Sequence, residues 1–249
     1  MTDERRKVVL ISGGMGGVGS ATADLLVQNG YSVALLYRNS AARIVAEKKL
    51  QMGEHSFFVQ CDVTRFDETR LAVKKVCEHF GEIDICIHAA VGRIIRKPIS
   101  DMSESEFRGE FEAGFFGAFN LFSSVVPEMK KRRSGMLIGI TSSSIEKGGG
   151  AARMGAYSTA KYALKGLLRK LSRELSAGGV GVYAIVPTLL KTPLTADLPE
   201  KYFEFAEAHA SRKKLMTPLE VANAILKVCR GDVESGSSVS VATGEITAL

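Results

Sequence analysis

No apolar run in the 249-residue chain approaches the length of about 18 residues that a membrane-spanning helix requires. The opening stretch, "MTDERRKVVL", carries charge but no apolar segment long enough for a secretory signal. Cysteine is scarce and scattered: Cys61, Cys77, Cys86 and Cys229 form neither the close pair of a zinc knuckle nor a redox CxxC. No metal is therefore expected, and buried free thiols in a reducing, cytoplasmic setting are. Internal repeats, low-complexity tracts and linkers are also missing, so one domain over residues 1–249 is expected.

What is present is the composition of an ordinary globular protein, with 45% hydrophobic and 24% charged residues. The net charge of +6 would suit a nucleic-acid partner if it were clustered. Its densest run, Lys130 to Arg133, instead sits between a helix end and a strand start, where cations complement helix carbonyls. No nucleic-acid and no membrane partner is expected.

Short apolar runs alternate with helical periodicity along the chain. The strand candidates are "KVVLIS", "YSVALLY", "SFFVQ", "IDICIHAA", "GMLIGIT", "GVYAIV" and "SSVSVA". Such runs suit strands buried on both faces, and the alternation predicts an α/β fold, a doubly wound parallel sheet of about seven strands with helices on both sides. Helix signals agree. Val73, Val76, Cys77 and Phe80 share one face and end at Gly81, Asn29 and Gly30 close a first helix from about Val18, and Ser103 with Glu106 forms a capping-box pattern. A stripe from Ala160 through Leu164, Leu168 and Leu175 defines a long helix with Arg169, Lys170 and Arg173 on its other side.

Two local patterns carry chemistry. The stretch "ISGGMGGVGS" follows a strand and opens a helix. Turns without Cβ atoms let backbone approach a pyrophosphate, and the helix N-terminus points N–H groups and a positive dipole end at the same anion. Further on, "AYSTAKYAL" places Tyr157 and Lys161 four residues apart, hence on one helix face. A free phenol ionises near pH 10, so a tyrosine exchanging protons near neutrality needs a neighbouring cation. Lowering it by two or three units takes roughly 3 to 4 kcal/mol, and Lys161 is expected to supply this.

Gly13, Gly17 and Gly19 in Ser-Gly-x-x-x-Gly-x-Gly, together with the YxxxK pair, resemble the TGxxxGxG and YxxxK motifs of the short-chain dehydrogenase/reductase family, in its 3-oxoacyl-carrier-protein reductase-like branch. The resemblance covers essentially the whole chain. It implies a carbonyl–alcohol oxidoreductase in which Tyr157 exchanges the proton, Lys161 holds the nicotinamide ribose and tunes Tyr157, and Ser142 polarises the carbonyl, with Ser143 and Ser144 as alternatives in "ITSSS". Cofactor contacts are implied for Ser12, Gly13, Gly17, Val18, Gly19, Asp62, Val63, Ala89, Ala90, Pro187 and Thr192, besides Tyr157 and Lys161. The alternative for Asp62 is a turn residue. At the end of the second strand stand Tyr37 and Arg38 rather than an acid, so Arg38 favours the 2′-phosphate of NADP over NAD. The resemblance also implies a small-molecule carbonyl or alcohol substrate and a homo-oligomer, a tetramer or dimer built through long helices.

Three departures from the family pattern stand out. "HAAV", His88 to Val91, replaces NNAG; Gly114 occupies the position of a catalytic Asn that links the lysine to solvent protons through water; and Pro187-Thr188 replaces Pro-Gly. The first two motivate an alternative reading, an NADP-binding protein with weak or no catalysis acting as a partner subunit or sensor. A substrate lid is expected over residues 188–216, with Tyr202, Phe203 and Phe205 either lining a pocket or packing on the core. Arg153, after the glycine-rich "KGGGAA", is a candidate for an anionic substrate group.

Overall fold

The computed structural model describes residues 5–39, 53–146, 153–210 and 212–249. The seven expected strands form a parallel sheet in the order β3-β2-β1-β4-β5-β6-β7, extended by an eighth strand. They are β1 (Val8–Ser12), β2 (Ser32–Tyr37), β3 (Ser56–Gln60), β4 (Ile85–His88), β5 (Gly135–Ile140), β6 (Val180–Val186) and β7 (Ser237–Ser240). The eighth, β8 (Ile246–Ala248), pairs antiparallel with β7 and is exposed throughout. Three exposed residues offer no alternation or apolar run, so this strand left no readable mark in the sequence; it adds an antiparallel edge to the seven parallel strands expected.

Seven α-helices accompany the sheet among the described residues: α1 (Gly17–Gln28), α2 (Phe66–Phe80), α3 (Glu104–Phe111), α4 (Gly117–Lys131), α5 (Gly155–Leu175), α6 (Glu200–His209) and α7 (Pro218–Arg230). Strand periodicity divides the core into two layers. Val9 and Ile11 of β1 face Ala23 and Leu26 of α1 and Val221 and Ile225 of α7. Val8 and Leu10 face the other layer, made by Val76 of α2, Phe122 of α4 and Leu164 and Leu168 of α5. Leu10 is fully buried, and its truncation to alanine would cost about 2–5 kcal/mol.

The helix ends follow their local signals. Asn29 caps α1 by donating from Nδ2 to the Leu25 carbonyl at 2.7 Å, and Gly30 follows with φ +85°. Ser103 and Glu106 form the expected capping box: Ser103 Oγ accepts from the Glu106 N–H at 3.2 Å, and the Glu106 carboxylate accepts from the Ser103 N–H at 2.8 Å. Between α3 and α4 the helix widens into one π turn, Glu112–Phe116, with Gly114 buried at its centre. The basic run is engaged locally: Lys131 pairs with Glu128 at 2.6 Å, Arg132 bonds the Ile83 carbonyl, and Arg133 donates to the Ala177 carbonyl at 2.8 Å. No described helix is long and apolar enough to cross a membrane.

Candidate active site

The C-terminal ends of the parallel strands open onto a cavity of about 920 Å3, the place where open α/β sheets bind ligands. The glycine turn forms one wall. Gly13 has φ +67°, and a Cβ there would stand 2.6 Å from the Ala90 nitrogen. A Cβ on Gly19 would stand 2.2 Å from the Gly13 carbonyl oxygen. Helix α1 starts at Gly17 behind Gly16, with no side-chain cap and no acidic residue in its first turn. Its first N–H groups are thus left to an anion. Gly13, Gly17, Val18 and Gly19 all line the cavity. This cradle and the cavity volume fit a dinucleotide.

Ser12 is placed differently from the rest of the turn. It is fully buried, and its hydroxyl bonds His88 Nδ1 at 2.9 Å, so it braces the ends of β1 and β4 and does not reach the cavity wall. Arg38, exposed beside Tyr37, lines the end of the cavity next to β2. Asp62 combines its two readings: Oδ1 accepts from the Thr64 N–H at 3.0 Å and its hydroxyl at 2.8 Å, closing a turn, while the residue lines the cavity. Val63 beside it is fixed by buried Asn120, whose Nδ2 donates to the Val63 carbonyl at 2.9 Å. Ala89, Ala90, Pro187 and Thr192 complete this wall.

Helix α5 brings Tyr157 and Lys161 to the cavity. Lys161 is 5% exposed, donates from Nζ to the Ile140 carbonyl at 2.7 Å, and lies 5.7 Å from the centre of the Tyr157 ring. Of the three serines after β5, Ser142 is the one whose hydroxyl acts on the Tyr157 phenol, lowering its pKa, although it does not line the cavity. Its Oγ also accepts from the Ser144 N–H at 3.2 Å. Ser143 is tied by its N–H to the Pro187 carbonyl at 2.9 Å, and the Ser144 hydroxyl is buried.

The expected depression of Tyr157 by Lys161 is not what the structure has. Burial, the largest influence, pushes the phenol up; the Ser142 hydroxyl lowers it, Glu110 raises it and Arg96 lowers it. The lysine is itself brought down to about 8 by burial, with Glu110 opposing. The low-dielectric surroundings that bring the pair together penalise both charges, and the amine is engaged by the Ile140 carbonyl.

His88 is 1% exposed and held down at about 3, first by burial and then by the charge of Lys161, so it is neutral at physiological pH. Its Nε2 has no partner among the described residues. A Cβ on Gly114 would meet only the Ala160 Cβ, at 4.0 Å. Two residues absent from the sequence-based expectations lie here. Arg96 lines the cavity and pairs with Asp197 at 2.6 Å. Glu110 is 2% exposed, with Oε1 accepting from the Ile95 N–H at 2.6 Å. In sequence Glu110 sits among the charged residues of "SESEFRGEFE", and its burial comes from tertiary packing, in which it accepts from the Ile95 N–H.

Within the lid segment Tyr202 lines the cavity, Phe203 is buried in the core, and Phe205 is exposed against His209 with ring centres 4.0 Å apart. Arg153 is exposed and does not line the cavity, and residues 147–152 of the glycine-rich loop lie outside those described.

Known proteins resemble this chain along most of its length. It is 28% identical over 221 residues to the 3-oxoacyl-[acyl-carrier-protein] reductase FabG of Staphylococcus epidermidis, covering 88% of this chain and 89% of the relative. It is 29% identical over 251 residues to the 7alpha-hydroxysteroid dehydrogenase of Escherichia coli, covering 98% and 95%. The solved structure of ElxO with NADP bound superposes with a TM-score of 0.86 at 23% identity, over 95% of this chain and 97% of that one. The family described as short chain dehydrogenase matches residues 7–202, and with that match, on a sheet and glycine turn of this form, the chain belongs to the short-chain dehydrogenase family of oxidoreductases.

Proposed function

We propose that the protein is an NADP(H)-dependent oxidoreductase that interconverts a carbonyl and an alcohol. The observation that carries this reading is that Tyr157 and Lys161 line the same cavity as the glycine turn, with the Ser142 hydroxyl acting on the Tyr157 phenol. Gly13, Gly17, Val18 and Gly19 would hold a pyrophosphate, Asp62 and Val63 would flank the adenine end, and Ala89, Ala90, Pro187 and Thr192 would border the nicotinamide end. A bound nicotinamide would supply or accept the hydride. Arg38 and the lack of an acid at the end of β2 support a 2′-phosphate, hence NADP over NAD.

The chain's own contribution is proton handling. Ser142 donates a hydrogen bond to the carbonyl oxygen, and Tyr157 passes its phenolic proton to that oxygen as the alcohol forms. Burial keeps the phenol protonated, which is the state a proton donor needs for reduction. Lys161, fixed on the Ile140 carbonyl, orients the ribose side of the site. Residues 188–216 are assigned as substrate lid because Leu189, Thr192, Leu198 and Tyr202 of this segment line the cavity. Exposed Phe116, Phe119 and Tyr162 support assembly of copies through the α4 and α5 surfaces, and four unpaired cysteines suit a cytoplasmic setting.

The test is NADPH oxidation against ketones, aldehydes and acyl thioesters, beside NADPH binding by fluorescence titration. Turnover is expected in the wild type and should fall by about 10² to 10⁴ in Tyr157→Phe with binding retained. Binding without turnover across the panel, with activity gained in Gly114→Asn, would replace this reading by that of a cofactor-binding protein lacking a proton path.

A further inference from the structure

Two stretches of the cavity wall carry charge that hydride and proton transfer do not use. From residues 89–98, Arg93 and Arg96 line the cavity; from residues 188–216, Asp197 does, beside apolar Leu189, Leu198 and Tyr202. On these stretches two cations thus face one carboxylate. Arg96 Nη1 donates to Asp197 Oδ2 at 2.6 Å and so ties the two segments together. A guanidinium presents five N–H donors in a planar fork. Asp197 takes from Nη1 alone, and the other nitrogens of Arg96 have no partner among the described residues, although the side chain is only 18% exposed. Arg93 is exposed, with no hydrogen bond or ion pair among the described residues. The buried Glu110 carboxyl accepts from the Ile95 N–H; it does not line the cavity and is not bonded to Arg96. Arg96 is also among the charges that act on the Tyr157 phenol, which puts the open fork on the reacting side of the cavity. A largely enclosed guanidinium with unused donors is matched by a planar anion that it can hold bidentately.

We propose that Arg96 determines specificity by taking a carboxylate of the substrate, which is an oxo acid, or the matching hydroxy acid, with an apolar body. The body lies against Leu189, Leu198 and Tyr202, the carbonyl is at Tyr157, and the carboxylate is at the open donors of Arg96. Asp197 holds the fork in place before the substrate enters and competes with it for the same donors. The apolar wall excludes water and strengthens the pairing, and Arg93 adds a second positive charge to the same wall. Arg153, the arginine expected from the sequence to meet an anion, does not line the cavity. That the carboxylate belongs to a substrate rests on the oxidoreductase reading above; that the cavity binds one at Arg96 does not.

The experiment titrates decanoate and decanamide, which share a shape and contain no ketone, into the full chain in the presence of NADPH, read by calorimetry. Wild type should bind decanoate about tenfold or more tighter than decanamide, and Arg96→Gln should abolish the difference. Arg96→Met, which keeps the apolar stem, carries the same prediction if Arg96→Gln does not fold. Asp197→Asn should tighten decanoate binding, because the competing carboxylate is gone, whereas a merely structural ion pair would be weakened alike by either change. Equal binding of acid and amide by the wild type, a preference that survives the loss of Arg96, or weakened decanoate binding in Asp197→Asn overturns the proposal. So does a loss of NADPH affinity in Arg96→Gln, which would assign the fork to a cofactor phosphate. In steady state, medium-chain oxo acids should exceed their methyl esters in kcat/KM by about tenfold or more, through KM, and only in proteins that retain Arg96. Turnover without preference for the acids would keep the oxidoreductase reading and overturn this one; decanoate bound through Arg96, without turnover of any oxo acid or ester, would do the reverse.

Discussion

His88 should make the protein acid-sensitive in a measurable way. The ring is 1% exposed, bonded through Nδ1 to buried Ser12, and held neutral down to about 3, against 6.5 for an ordinary histidine. Between these values the unfolded chain binds a proton that the folded protein refuses, so stability falls as pH falls from about 6.5 towards 3 and is constant above that window. Each unit corresponds to about 1.4 kcal/mol, so lowering the pH from about 7 to about 5 should cost roughly 2 kcal/mol from this residue alone. Urea unfolding at the two pH values, for wild type and His88→Asn, isolates the contribution. Asparagine retains an amide for the Ser12 hydroxyl but takes up no proton, and the other three histidines, His55, His79 and His209, are common to both proteins. The wild type should lose roughly 2 kcal/mol more than the variant over this interval. Equal losses would refute the argument, whatever the absolute stability of the variant.

Other consequences are open to equally direct checks. Arg38→Ala should weaken NADPH binding by about tenfold or more while leaving NADH binding nearly unchanged, as read by fluorescence titration; an equal loss for both cofactors would mean that Arg38 does not recognise the 2′-phosphate. Gly19→Ala should abolish NADPH binding and lower the thermal midpoint, because its Cβ would lie 2.2 Å from the Gly13 carbonyl, a backbone atom with no easy retreat; a variant that binds normally would show that the turn relaxes. Lys161→Met should be inactive, and wild-type stability relative to it should rise by up to about 3 kcal/mol between pH about 8 and 10.5, since the native amine sits at about 8 against 10.5 in the unfolded chain. The native state binds fewer protons than the unfolded chain between these values, a difference the variant lacks; parallel curves would refute it. Denaturant titrations at neutral and alkaline pH decide this.

The alternating β/α order, the glycine turn and the Tyr157–Lys161 face are legible without coordinates, because each depends on residues within about a turn or a strand of one another. A strand, then Gly13 to Gly19, then a helix announces an anion cradle whatever the rest of the chain does, and the absence of an acid at Arg38 can be read without coordinates. The tertiary structure decided what depends on approach from elsewhere in the chain. Ser12, next to the glycines in sequence, is turned away by His88, 76 residues distant. Phe203 and Phe205 differ in burial because of how α6 lies on the core. Tyr157 is pushed up, not down, because desolvation is a property of the assembled cavity. Glu110, one acid among several in a polar helix start, is buried by tertiary packing, where the Ile95 N–H bonds it. Local spacing thus identifies the candidate groups, whereas their charge states are set by burial, which is a non-local quantity.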